Sequence, residues 1–267
     1  MTTIRPEQPT PDYVPGHGLL RDKVVVVTAA AGAGIGASVV RRALEEGARA
    51  VVFSDTHRRR VGEAQEVLAA EFGTDRVFAT LCDVTAQEDV AALMEAADEH
   101  GGVDVMVNNA GLGGTADILE MTDEEWSKVL DITLTGTFRC VREAAAAMVR
   151  HGRRGVIVNN ASVIGWRAQE GQAHYAAAKA GVMALTRCTA LDLAPHGIRV
   201  NAVSPSLAMH PFLAKVTSDE LLAELKQREA FGRAAEPWEV ANVMVFLASD
   251  YSSYLTGEVI SVSSQHA

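Results

Sequence analysis

Tyr175 and Lys179 stand four residues apart, thirteen and seventeen positions after Ser162. Residues at i and i+4 share one face of a helix, so the Lys179 ammonium can lie close to the Tyr175 phenol. A free tyrosine has a pKa of about 10, too high for a base near neutrality. A neighbouring positive charge favours the phenolate and lowers that value. Ser162, from an adjacent strand end, would hydrogen-bond the same substrate oxygen. Such a set suits hydride transfer between an alcohol and a ketone. Each piece also has an ordinary reading: a Tyr-x-x-x-Lys pair arises by chance, and a serine ending a strand is commonly a cap or turn residue. The value of the set depends on what else the chain contains.

Holding these side chains together requires a scaffold. The 267 residues are 48% hydrophobic and include 22 glycines, a composition that suits a core-forming protein with many tight turns. Short apolar runs at 24–28, 50–54, 76–81, 103–107, 156–160, 199–203 and 259–262 alternate with helix-like segments. Continuous apolar strands between helices predict a parallel sheet covered on both faces. No linker and no repeat of fixed period divides the chain. The expectation is one doubly wound, Rossmann-type α/β domain over 21–267. A Pro-rich arm at 1–20 precedes it, extended and packed on the body or on a neighbouring subunit. The stretch at about 206–231 reads as a lid beside the site, or else as an ordinary surface excursion.

The first strand leads from Thr28 into a turn bearing Gly32, Gly34 and Gly36, and Ile35 opens the first helix. Glycines there allow close backbone approach, and the helix N-terminus offers free N–H groups to a pyrophosphate. Asp55 ends the second strand, where a carboxylate can accept hydrogen bonds from both ribose hydroxyls of NAD and repel the 2′-phosphate of NADP. Arg58, Arg59 and Arg60 could instead bind that phosphate; a solvated helix start is the simpler account, and NAD is preferred. Asp83 and Val84 close the third strand, with the Asp83 carboxylate placed to meet the adenine edge. Asn108, Asn109, Ala110 and Gly111 close the fourth. All fall on the carboxyl edge of the sheet, where open α/β folds bind ligands.

The formal charge of −10 argues against nucleic acid or an anionic membrane as the main partner. Cys82, Cys140 and Cys188 show no metal-ligand spacing, and the first two sit among apolar residues as buried free thiols would. No metal is expected. Pro6, Pro9, Pro11 and Pro15 stand where a leader would need an apolar stretch, and no window approaches the length of a membrane span. A cytoplasmic protein is expected.

The segments 28–36 and 108–111, Ser162, and Tyr175 with Lys179 together resemble the short-chain dehydrogenase/reductase family, over nearly the whole chain after residue 20. The resemblance implies a seven-stranded sheet and a nicotinamide dinucleotide bound by Thr28, Gly32, Gly34, Ile35, Gly36, Asp55, Asp83, Val84, Asn109, Ala110, Gly111, Tyr175, Lys179 and Pro205. It makes Tyr175 the general acid/base and Ser162 the group that positions the substrate oxygen. Lys179 would lower the tyrosine pKa and hold the nicotinamide ribose, and Asn109 would support the central strand. It also implies a homodimer or homotetramer, for which the Ala-rich surface at 175–194 permits close helix packing.

The chain departs from the family pattern at several places. Ala29 stands where the first glycine is usual, and Thr133 where an Asn usually completes a proton relay. Ser206 replaces a glycine, His210 falls where a threonine often contacts the carboxamide, and the ending at 261–265 lacks the common Asp-Gly-Gly. With the segments 165–169 and 231–238, these departures resemble an actinobacterial subgroup that oxidises a ring hydroxyl on a hydroxy-indanone acyl-CoA in steroid C/D-ring breakdown. The expectation is an NAD-dependent oxidoreductase acting on a bulky apolar substrate; for a CoA thioester, Lys215, Lys226, Arg228 and Arg233 are the cations that could meet its phosphates. The alternatives are an NADPH-dependent 3-oxoacyl-thioester reductase and a dinucleotide-binding sensor or structural subunit whose chemistry has lapsed.

Overall fold

The computed structural model describes residues 6–209 and 219–265. Along β1 (Val24–Val27) the side chains alternate between two cores, as the two-residue period of a strand requires. Val25 and Val27 join one cluster with Val39, Val40 and Met244, while Val24 and Val26 join the other with Leu93, Met106 and Met148. A strand buried on both faces cannot alternate polar with apolar, which is why β1 is four valines.

Six further strands follow: β2 (Ala50–Asp55), β3 (Val77–Leu81), β4 (Val105–Asn108), β5 (Val156–Asn160), β6 (Arg199–Pro205) and β7 (Val259–Val262). They form one parallel sheet in the order β3-β2-β1-β4-β5-β6-β7. Helices α1 (Ile35–Glu45), α2 (Arg58–Phe72) and α8 (Pro237–Ala248) supply the first cluster, and α3 (Gln87–Asp98), α5 (Gly136–Arg150) and α6 (Ala173–Leu193) the second. Helices α4 (Asp123–Leu130) and α7 (Asp219–Arg228) complete the set among the described residues. The seven-stranded, doubly wound single domain expected from the sequence is the observed fold.

The strand ends differ slightly from the expected ones. β4 begins at Val105 rather than 103, because Asp104 turns its carboxylate onto the Val24 amide (2.8 Å). β6 runs on to Pro205, held by pairing of Pro205 with Val262. The switch in strand order lies between β1 and β4, and it opens a crevice at their carboxyl ends.

The arm packs on the body of this chain. Tyr13 meets the Trp238 ring edge-on with centroids 5.2 Å apart and donates to Glu45 at 2.5 Å. Fully buried Glu46 pairs with Arg42 (2.9 Å) and accepts from the backbone amides of His17 and Leu19. Of the expected lid, His210 and Lys215 lie outside the described residues; α7 belongs to the described part.

Candidate active site

The glycine turn is built around Asn109. Its side-chain amide donates to the carbonyl oxygens of Thr28 (3.2 Å) and Ala29 (3.0 Å). The Thr28 hydroxyl in turn accepts from the amides of Asn109 and Ala110. A Cβ on Gly36 would lie 2.5 Å from Asn109 Nδ2 and 2.7 Å from the Ala29 carbonyl oxygen, so only glycine fits there. A Cβ on Gly32 would touch nothing within 4 Å, leaving that backbone open to an approaching group. Ala29 adopts φ +52°, the left-handed region that favours glycine. The family's usual first glycine therefore has a physical reason, and this chain carries the strain in its place.

Helix α1 begins at Ile35 with no side-chain cap on Gly34 and no acidic residue in its first turn. Its first amides are therefore left for an anion. Asp55 ends β2 and uses one carboxylate oxygen, Oδ1, to accept from the His57 amide (3.2 Å) and Arg60 (3.3 Å). Arg59 pairs with Glu63 along exposed α2. Asp83 is exposed, two residues beyond β3, and holds Thr85 through both its amide and its hydroxyl. Val84 is buried, and a Cβ on Gly136 would come within 2.6 Å of it, so its side chain packs into the start of α5. Pro205 is buried at the end of β6. The open glycine turn, the uncapped helix and the carboxylate after β2 all lie on one sheet edge, and together they fit a dinucleotide.

Ser162 follows β5 in extended conformation, and its Oγ accepts from the Ile164 amide (3.3 Å), capping the short turn Val163–Gly165. It thus has the turn-capping role that its place at a strand end allows. Tyr175 and Lys179 lie one turn apart on α6, with the Lys179 Nζ 5.5 Å from the Tyr175 ring centroid. The loop after β4 crosses this face: Cβ atoms on Gly111 and Gly113 would stand 3.4 Å from Lys179 Nζ and 3.9 Å from the Tyr175 ring. The structure places the Ser162 hydroxyl beside the Tyr175 phenol and Lys179 one helical turn beyond it.

Their electrostatics differ from expectation. Lys179 is buried and donates to the Asn160 carbonyl oxygen at 2.5 Å. Burial lowers its pKa to about 8. Burial also pushes the Tyr175 phenol up to about 12, with the Ser162 hydroxyl pulling partly back and no contribution from Lys179. The expected acidification of the phenol by Lys179 is therefore not present: the ammonium faces the strand end, and desolvation dominates.

Thr133 is fully buried in a π-helical turn, Asp131–Thr135, between α4 and α5. Its hydroxyl accepts from the Leu112 amide (2.9 Å) and donates to the Leu112 carbonyl (3.2 Å). It therefore braces the loop beside Lys179. Of the cations considered for a CoA group, Arg228 pairs with Glu224 and Arg233 makes a two-pronged contact with Glu239. Sequence reasoning missed the buried chain Asn108–Asn159–Thr186 that joins β4, β5 and α6 beneath the site. Asparagine in an apolar strand was its only signal.

The family model described as enoyl-(acyl carrier protein) reductase matches residues 29–264. The chain is 60% identical over 257 residues to the (5R,7aS)-5-hydroxy-7a-methyl-1-oxo-2,3,5,6,7,7a-hexahydro-1H-indene-carboxyl-CoA reductase of Mycobacterium tuberculosis, covering 96% of this chain and 97% of that one. It is 36% identical over 242 residues to the 3-oxoacyl-[acyl-carrier-protein] reductase FabG of Staphylococcus aureus, covering 90% and 96%. Among solved structures, a short chain dehydrogenase from Mycobacterium smegmatis superposes with TM-score 0.86 at 55% identity, covering 97% of this chain and 99% of that one.

Proposed function

The chain belongs to the short-chain dehydrogenase/reductase family, a family of CH–OH oxidoreductases, and from that premise we propose that it interconverts a ring ketone and its secondary alcohol on a bulky apolar acyl-CoA, using NAD(H). The observation that carries the substrate class is the full-length likeness to the indene-carboxyl-CoA reductase. The gathering of Ser162, Tyr175 and Lys179 beside an open glycine turn supports the chemistry.

Thr28, Gly32, Gly34, Ile35, Gly36, Asn109, Ala110 and Gly111 would hold the dinucleotide along the β1 and β4 ends, with Asp83 and Val84 beyond β3 and Pro205 beyond β6. Asp55 would take the adenine ribose, and Tyr175 and Lys179 the nicotinamide ribose. When bound, the nicotinamide supplies or accepts the hydride. Tyr175 gives its phenol proton to the substrate carbonyl oxygen in reduction and recovers it in oxidation. Ser162 donates to the same oxygen and fixes its position. Orientation of the bound reactants supplies much of the rate, and the positioned proton donor about 10²–10⁴-fold.

A second reading, an NADPH-dependent 3-oxoacyl-thioester reductase, is favoured by the FabG likeness and by Arg60 lying beside Asp55. Initial rates with both cofactors, on ring-hydroxyl CoA esters and simple 3-hydroxyacyl thioesters, separate the two. Turnover of the simple thioesters alone, with NADP, would replace the first reading by the second.

We also propose a homo-oligomer formed through α5 and α6. Phe138, Val149 and Leu191 are exposed there, and an apolar groove of about 570 Å³ between the helices is lined by Phe138, Val141, Ala145, Val149 and Leu193. A second copy would bury it; a monomer in sedimentation at micromolar concentration would exclude it. A cytoplasmic setting accords with the free thiols of Cys82, Cys140 and Cys188, and a disulfide in protein purified from cells would speak against it. Among the described residues no helix is long and apolar enough to cross a membrane.

A further inference from the structure

We propose that Gln265 is a positioning residue of this active site, its amide tying Arg167, just beyond the turn capped by Ser162, to Glu229 at the foot of α7. The inference rests on the oxidoreductase reading above. Arg167 Nη1 donates to Gln265 Oε1 at 2.5 Å, and Gln265 Nε2 donates to Glu229 Oε1 at 2.8 Å. This is the one amide orientation that satisfies both charges, and each bond polarises the other.

Glu229 is 1% exposed, and among the described residues no cation pairs with it. A carboxylate buried among neutral donors is costly to keep. Its remaining donors come from the exits of two strands: the Leu207 amide after β6 (3.3 Å) and the Ser264 hydroxyl after β7 (2.8 Å). The Ala230 amide donates back to the Ser264 carbonyl at 2.9 Å. Glu229 therefore fastens the end of α7 to the exits of β6 and β7.

The Ser162 turn is gripped from two sides. On one side Gly165 is pressed against α6, where a Cβ would lie 3.0 Å from the Ala180 amide nitrogen and from the Lys179 carbonyl carbon. On the other, Arg167, whose amide donates to Val163 (3.0 Å), is held by Gln265. Without the Gln265 amide, the turn loses its described side-chain tie to α7 and keeps its backbone bonds, its cap and the grip of α6. The position of the Ser162 hydroxyl then no longer follows the end of α7.

Gln265→Glu sets two carboxylates against each other, whereas Glu229→Gln can keep its carbonyl oxygen on Gln265 and Leu207 and turn its N–H₂ to the Ser264 hydroxyl, so it removes the charge and keeps the contact. Their combination restores a donor–acceptor pair with reversed polarity, still accepting from Arg167, and loses only the long bond from Leu207. The test is steady-state kinetics of these three variants on whichever ketone the wild type reduces, with NADH affinity measured by fluorescence. Gln265→Glu should lose at least about tenfold in kcat, since small misplacements of a reacting group cost up to about 10²-fold, and Glu229→Gln, which keeps the contact, should lose less than about threefold. NADH affinity should stay within about twofold, and the double variant should return to within about threefold of wild type. A Gln265→Glu variant that matches wild type, a double variant no better than Gln265→Glu, or a parallel loss of NADH binding would overturn the proposal.

A second measurement needs no turnover and so stands apart from the substrate assignment. In Gln265→Ala with NADH bound, hydrogen exchange at the amides of Gly165, Trp166 and Arg167 should accelerate at least about tenfold, as local opening becomes easier. Unchanged protection there would overturn the proposal even if the ring-ketone reading held.

Discussion

Lys179 donates to the carbonyl oxygen of Asn160 at 2.5 Å, so the ammonium is anchored to the end of β5 and not to the phenol one turn away. Asn160 also donates through its side chain to Asn109 Oδ1 (3.1 Å). One residue thereby links Lys179 to the asparagine that builds the glycine turn, so the glycine turn and the Tyr175–Lys179 face of α6 share a polar support.

The buried lysine has a signature in stability. Its pKa is lowered to about 8 from 10.5 by burial. Below about 8 it is charged in both folded and unfolded chains, and the penalty is fully expressed. Above that, the folded chain releases the proton while the unfolded chain keeps it, so stability rises with pH towards 10.5. Tyr175, raised to about 12, acts oppositely only above its ordinary value of 10. Urea unfolding of wild type and Lys179→Met from about pH 7 to 10 should show the wild type gaining on the variant as pH rises. A difference that is flat or falls would contradict the buried-ammonium account.

Gly36→Ala should damage fold and cofactor binding together. The added carbon would lie 2.5 Å from Asn109 Nδ2 and 2.7 Å from the Ala29 carbonyl oxygen, and neither partner can yield without breaking the bond between them. A loss of about 1–3 kcal/mol in unfolding free energy is expected for such overpacking, with weaker NADH binding in a fluorescence titration. Wild-type values in both assays would show that the turn does not need this close approach.

Asp55→Ala should change cofactor choice without unfolding the chain. It removes the carboxylate that would hold the ribose and frees Arg60, which now pairs with it at 3.3 Å. The ratio of kcat/KM with NADH to that with NADPH should fall at least about tenfold, the scale on which a missing charge-assisted hydrogen bond acts. An unaltered ratio would place the discrimination elsewhere.

Much of this was legible in the chain because short-range rules governed it. The valines of β1 signal a strand buried on both faces, and the spacing of Tyr175 and Lys179 places them on one helix face. Ala29 was legible as a departure, and its φ of +52° shows what the departure means. What escaped depended on burial and on distant partners. No neighbour in sequence tells that desolvation governs the Tyr175 phenol, nor that the Thr133 hydroxyl closes on Leu112. The Arg167–Gln265–Glu229 chain joins residues 98 and 36 positions apart, and each looks like a surface polar residue until the β6 and β7 exits meet. The contact of Tyr13 with Trp238 was equally invisible, since the arm carries no periodic pattern.

The central claim is that Tyr175 moves the proton in ketone–alcohol interconversion on a ring-bearing CoA ester. The direct measurement is kcat on an indanone-type acyl-CoA with NADH, wild type against Tyr175→Phe, with NADH binding followed in both. The account predicts turnover by the wild type and a loss of at least about 10²-fold in the variant, with cofactor affinity retained. A loss of less than tenfold, with binding intact, would contradict it.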